Sequence, residues 1–257
     1  MSNLFMGQGI ASPCKVMAMI LAREPRMPAP EAVRRELAKT HHVKIDHAGG
    51  AMWAMDVDGQ PSFVGLMPMP IPWSQLEGPC ATAWWWPEAT PICKASPAHF
   101  VVSTQSDDGD VFAANLRLTA IVAAFARAAE APAVYWGAGA VVRSTVDFAE
   151  QADMATREYL PLRLWLEVRV TPEGKNDSFF ATTGMTAFGL MEIETIAPRA
   201  QTDHVLDRMF NLAHYLCDSG PVLEHGHTIG LSADERVEIS HRPSRWKRPG
   251  NVIFLSW

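Results

Sequence analysis

From residue 111 to residue 129 the chain runs through Ala, Leu and Arg with no interior glycine or proline, and no other segment constrains the fold as firmly. Intrinsic helix preference and apolar periodicity agree over this stretch. Leu116, Leu118, Ile121, Val122 and Phe125 cover more than a narrow stripe, so the helix is expected to lie buried between layers rather than on an outer face. Asp110, at the end of Asp107-Asp108-Gly109-Asp110, is placed to cap the first turn, and Pro132 stops the helix. Such a helix needs a sheet to cover it, so the flanking segments have to supply strands.

The residues before it alternate strand and helix signals. Residues 16–22 are an apolar run of strand length ended by Glu24-Pro25. Pro30 opens a helix with Ala32, Val33 and Leu37 on one face and Arg34, Arg35 and Lys39 on the other. Residues 51–57 and 62–67 flank Asp58-Gly59, a two-residue hairpin signal. Ser74 with Glu77 three residues on has the pattern of a capping box, and residues 99–103 read as another strand. The order βαββαβ predicts a ferredoxin-like unit over residues 1–105, a four-stranded sheet with both helices on one face.

After the long helix, residues 134–136 read as a brief strand and 147–154 as a helix. Residues 164–170 alternate apolar with Arg and Glu like a half-exposed strand, and Glu173-Gly174 turns the chain into residues 179–183. Residues 190–196 follow as a strand. Thr202 and Asp203 are expected to cap a helix through Cys217 that Gly220-Pro221 ends, and residues 236–240 and 252–257 close the chain as strands. The expected class is therefore α+β, with mainly antiparallel sheets and packed helices. It forms two lobes, 1–105 and 106–257, or one continuous domain.

Composition narrows the function. A chain of 257 residues with 48% apolar and 19% charged side chains can bury a large core. Its net charge of −6 disfavours nucleic acid as a direct ligand and suits a basic partner; the short basic run at 242–248 is broken by Pro243 and Trp246 and reads as a solvated loop. Cys14, Cys80, Cys93 and Cys217 make no Cys-x-x-Cys pair, so their spacing writes neither a zinc site nor a redox motif. Residues 1–10 lack the pattern of a signal peptide, and no window approaches the roughly twenty apolar residues that span a bilayer. The cytoplasm is the expected compartment, with no membrane contact, no cofactor and no disulfide.

No phosphate loop, nucleophile elbow or dinucleotide fingerprint is present. Glu192 and Glu194 are the best paired carboxylates; two apart on a strand they share a face, which suits acid–base work or is simply a wet strand face. His225-Gly-His227, near Cys217, His214 and Glu224, is the densest cluster of metal-ligand types, though Gly220, Pro221, Gly226 and Gly230 make it a loop and no metal is expected there. Trp84-Trp85-Trp86-Pro87 either caps the core or docks a partner, and it is the strongest interaction signal, because three consecutive large aromatics cannot all point into one core. Prolines stiffen its surroundings, and Glu77 and Glu88 flank it to steer a basic partner. Met52, Met55, Met67 and Met69 beside the hairpin read as core filling or as a pliable binding face.

Two stretches carry a family resemblance: Gly184-Met-Thr-Ala-Phe188-Gly189-Leu-Met-Glu192-Ile-Glu194, and Gly226-His-Thr228-Ile-Gly230-Leu-Ser-Ala-Asp-Glu235. Together they resemble the C-terminal part of a bacterial family, domain of unknown function 4261, most clearly over residues 160–257; Trp86-Pro87 before the strand at 99–103 extends the likeness more weakly. The resemblance implies a fold class and a bacterial origin rather than a reaction, and genes of this kind often lie beside secreted toxins. The expectation is a non-catalytic protein-binding module, monomeric or homodimeric. In concrete form it is an immunity-type protein occluding a toxin such as a type VI secretion effector. The alternatives are a metal-dependent or acid–base hydrolase using His225, His227 and Glu192, or a scaffold subunit of a secretion machine.

Overall fold

The computed structural model describes residues 12–230 and 236–257; the leader reading at 1–10 and the end of the second glycine motif, 231–235, lie outside them. The chain begins β1 (Cys14–Ala22), α1 (Pro30–Leu37), β2 (Val43–Gly49), β3 (Met52–Val57) and β4 (Gln60–Met67). It continues α2 (Trp73–Thr82), α3 (Ala89–Ala95), β5 (Ala98–Ser106), α4 (Val111–Ala128), β6 (Ala133–Trp136), β7 (Val141–Ser144), α5 (Thr145–Asp153) and α6 (Leu162–Trp165). The remainder is β8 (Glu167–Glu173), β9 (Asp177–Thr183), β10 (Ile193–Pro198), α7 (Thr202–Ser219), β11 (Thr228–Ile229), β12 (Val237–Pro243) and β13 (Asn251–Ser256).

The fold is α+β, and its two compact units interleave along the chain rather than dividing at residue 105. One holds Met1–Ile71, Lys94–Val134 and Thr145–Arg157; the other holds Pro72–Cys93, Tyr135–Ser144 and Glu158–Trp257.

In the first unit antiparallel strands pair in the order β2-β3-β4-β5-β1, with the start of β6 beside β1. Asp58 (φ 55°) and Gly59 (φ 77°) make the expected hairpin turn between β3 and β4. The buried face carries Ile20, Trp53, Met55, Val64, Phe100 and Val102. Phe125 of α4 meets Trp53 and Phe100 edge-to-face at 5.1 and 5.5 Å. Asp110 caps α4 as expected, accepting from the amides of Phe112 and Ala113 at 3.0 Å each. Among the described helices α4 alone is long and apolar enough to cross a membrane; its burial is that of a core helix.

The ferredoxin-like order does not hold within this α+β unit. β5 lies between β4 and β1 and is antiparallel to both, whereas the expected crossover would have set the first strand parallel beside the third. Residues 43–49 add a strand that their mixed polarity hid. The capping box at Ser74 is also absent: α2 starts at Trp73 behind Pro72, with no side-chain cap.

The second unit carries the sheet β11-β12-β13-β10-β9-β8, antiparallel except where β10 and β13 run parallel. α7 follows Gln201 with no side-chain cap, the expected Thr202 hydroxyl donating back to the Arg199 carbonyl at 2.8 Å instead; it buries Val205, Leu206, Met209, Leu212, Ala213 and Leu216 and packs on β10. Residues 164–170 are not one strand: Leu162, Leu164 and Trp165 are all buried in the short α6 behind Pro161, and β8 starts only at Glu167. The strand expected from residue 190 begins at Ile193, because Gly189 is left-handed (φ 73°) and the next three residues are turned towards the bonds of Glu192.

Candidate functional site

α2 and α3 are joined by the tryptophan segment, and successive tight turns fix it. The amide of Trp84 donates to the carbonyl of Thr82 (2.9 Å), that of Trp86 to Ala83 (2.9 Å) and that of Ala89 to Trp86 (3.0 Å). Trp84 is 70% exposed and stands edge-to-face on Trp85 with centroids 5.6 Å apart. Trp85 and Trp86 are half-buried. The Arg143 guanidinium lies 4.2 Å from the Trp85 ring centroid, a cation–π contact. The indole N–H of Trp85 is buried without an acceptor.

Trp84, Trp85, Arg143, Arg163, Glu167 and Phe210 line a cavity of about 100 Å³ in the second unit. Arg143 Nη2 donates to the Arg163 carbonyl at 2.9 Å, and Arg163 Nη2 donates to Asp207 Oδ1 at 3.0 Å while its guanidinium stacks 4.4 Å from the Phe210 ring. Glu167 is 3% exposed; it accepts from the Thr82 hydroxyl and from Arg169 Nη2 (3.1 Å to Oε2). Burial and the nearby Glu167 carboxylate push the Tyr135 phenol above its ordinary pKa. A cavity this small holds a few atoms, below the roughly 300 Å³ of ordinary ligand pockets. With an aromatic ring on its rim and two guanidiniums in its wall, it can seat one side chain of a partner.

Glu77 and Glu88 are exposed, as steering requires, but neither lines this cavity. The cations beside the aromatic rings are instead Arg143 and Arg163, with the Glu167 carboxylate in the same wall. Sequence reasoning missed both, and also Glu167, because Arg143 sits in an ordinary four-residue strand and the alternation around residue 167 reads as a wet face.

The glycine-rich motif is an anchoring device. The Glu192 carboxylate, 5% exposed, accepts from the Gly184 amide (2.9 Å) and the Thr182 hydroxyl (2.7 Å), with the Met185 and Thr186 amides and the Thr186 hydroxyl each at 3.4 Å. It thus caps the turn of 3-10 helix at Met185–Phe188 as an anion at a helix N-terminus does. Gly184 has φ 117°, and a Cβ there would lie 2.8 Å from the Trp165 carbonyl, so both conformation and space demand glycine. Phe188 packs on Trp165 with centroids 5.6 Å apart. Glu194 is fully buried and accepts from the Ser244 hydroxyl (2.5 Å) and the Arg245 amide (3.1 Å). The wet strand face expected at Glu192 and Glu194 is therefore corrected: both acids are buried because loops 184–186 and 244–245 fold over them and supply donors.

At the second motif the Gly226 amide donates to the Ile239 carbonyl and the Ile239 amide to the His227 carbonyl, both at 2.8 Å. Thr228 pairs with Glu238, and Gly230 is exposed. His225 Nδ1 accepts from the His241 amide (3.1 Å) and His227 Nδ1 from the Glu224 amide (3.2 Å). Each ring thus has one nitrogen committed to backbone, and among the described residues no three metal-ligating side chains converge. An apolar concavity of about 300 Å³ is lined by Arg208, Asn211, Tyr215, Ile229, Leu255 and Trp257 with their neighbours.

No curated protein and no solved structure gave a significant match. Across residues 181–256, which hold both glycine motifs and the two buried glutamates, the chain matches the family model described as Domain of unknown function (DUF4261).

Proposed function

We propose that this chain is a non-catalytic protein-binding module whose contact surface is centred on Trp84. The observation that carries this reading is a large aromatic side chain, 70% exposed, on a loop fixed by consecutive backbone hydrogen bonds. A rigid ring loses little entropy on binding and offers much apolar area. Arg143 and Arg163 beside it suit a carboxylate or aromatic side chain at the centre of the contact, while the net charge of −6 with Glu77 and Glu88 draws a basic partner from a distance.

In its concrete form the module is a cytoplasmic immunity-type protein that occludes the cleft of a toxin domain. Against a hydrolase stands the chemistry of Glu192, whose oxygens are taken by three amides and two hydroxyls, and of His225 and His227, each with a ring nitrogen accepting from backbone. Co-expression with the toxin-like product of an adjacent gene tests this reading. The chain should restore growth and Trp84→Ala should abolish the rescue, at unchanged expression and melting temperature. Equal rescue by Trp84→Ala, or none by the wild type, would contradict it.

A further inference from the structure

The first unit's sheet breaks the usual pattern of a sheet covered on one side. Helix α4 packs on one face, so the other should be polar. Only one end of it is: Lys15, Gln105 and Asp56 lie at that end, Leu21 and His99 are buried at the other, and two apolar rows lie between. Directly opposed residues share a face, and one such row runs Ala54, Phe63, Ser103, Met17 across β3, β4, β5 and β1. The next runs Met52, Gly65, Val101, Met19. Met17, Met52 and Phe63 are 50, 60 and 48% exposed. Contiguous apolar surface of this kind marks an interaction site, and methionine adapts to what covers it.

We infer that this face joins two copies of the chain in a face-to-face dimer, through a two-fold axis parallel to the strands between β4 and β5. That rotation exchanges β1 with β3 and β5 with β4. Met17 of one copy then meets Ala54 of the other, Phe63 meets Ser103, and Val101 meets Gly65, so in these three pairings a larger side chain opposes a smaller one. Met19 meets Met52. The same operation acts on charge. Lys15, opposite Gln105 at one edge, and Asp56, opposite Pro61 near the other, flank the Ser62–Thr104 pair on the same side. Each Lys15 therefore faces the Asp56 of the second copy, giving two ion pairs from one symmetric arrangement. Lys44, Asp56's neighbour on β2, is held by Asp46 at 2.6 Å, and Asp56 Oδ1 accepts from the Gly59 amide at 2.8 Å, so Lys15 would meet Oδ2.

Row and strand spacings make the patch roughly 20 Å on a side, smaller than the roughly 800 Å² per partner of a standard stable interface, so the dimer should be weak, with a Kd of micromolar order. This interface is independent of the Trp84 reading. Sedimentation velocity of the full chain from about 1 to about 100 µM tests it. The wild type should pass from monomer to dimer over that range, and Phe63→Lys should stay monomeric. Lys15→Glu, an exposed change that leaves the melting temperature alone, should weaken association about tenfold, and adding Asp56→Lys should restore it. A wild type monomeric throughout, a dimer indifferent to Phe63→Lys, or a charge swap that fails to restore association would each overturn the inference. A monomer would leave the face to a different protein. Trp84→Ala should leave the dimer unchanged.

Discussion

The two sheets of this chain solve the burial problem in opposite ways. In the first unit the covered face is almost wholly apolar, its polar exceptions being the Ser62–Thr104 hydroxyl pair at 2.8 Å and Ser106, and the opposite face carries an exposed apolar patch around Met17, Met52 and Phe63. In the second unit three carboxylates, Glu167, Glu192 and Glu194, lie buried in or beside the strands, each with protein donors. A buried acid contributes specificity of loop placement only while all its donors are present, since losing them leaves a desolvated charge. Apolar burial has no such single point of failure. The second unit should therefore be brittle at a few named residues, and the first tolerant of change, with surface to spare for contacts.

The largest expected effect is at Glu194. Glu194→Ala removes the acceptor for the Ser244 hydroxyl and the Arg245 amide and should lower unfolding free energy by about 3–5 kcal/mol in urea titrations. A loss below about 1 kcal/mol would break the contrast. Next comes Gly184→Ala, which forces a Cβ within 2.8 Å of the Trp165 carbonyl at φ 117°. It should cost about 2–4 kcal/mol by the same assay.

On the first sheet, Phe63→Thr should change monomer stability by no more than about 0.5 kcal/mol, measured at concentrations low enough to keep the chain dissociated. A large loss would mean that the ring belongs to a core.

The smallest effects are in acid, and they too separate the units. Burial, opposed by Asp218, holds His214 of α7 below the ordinary histidine pKa. The unfolded chain then takes up a proton that the folded one refuses, so stability should begin to fall as pH drops through about 6.5. Burial works to raise Asp58 of the first unit, but its bonds to the His41 ring and the His42 amide prevail and hold it below the usual carboxylate value. Its contribution is present above about pH 4 and is lost only as pH falls further. His214→Gln should flatten the higher step in thermal melts taken against pH and leave the lower one in place.

Local rules explain how much could be read beforehand. The α4 cap, the Asp58-Gly59 hairpin and the glycine-proline stop after α7 follow from neighbouring residues, and all are found. Strand order was not legible, because it depends on where the long connection after β4 returns the chain, and no residue pair encodes that. The family-like glycines and glutamates stood out as a pattern, yet alternation placed the acids in water; only the fold-over of residues 244–245 and 184–186 puts donors around them. Of the hairpin methionines, Met55 is core, while Met52, Met67 and Met69 are exposed, since the pleat decides the face and the sequence does not say which face is covered. Arg143 comes to Trp85 from a strand more than fifty residues away, without a spacing signal to announce it.

Hydrogen exchange followed by mass spectrometry on Glu192→Ala is the most direct test of whether the buried acids are anchors. If they are, amides across residues 182–190, which Glu192 ties down, should lose about two or more orders of magnitude of protection, while residues 14–22 in the first sheet exchange as in the wild type. Unchanged protection across residues 182–190 would contradict the anchoring role and return Glu192 to the residues free to do chemistry.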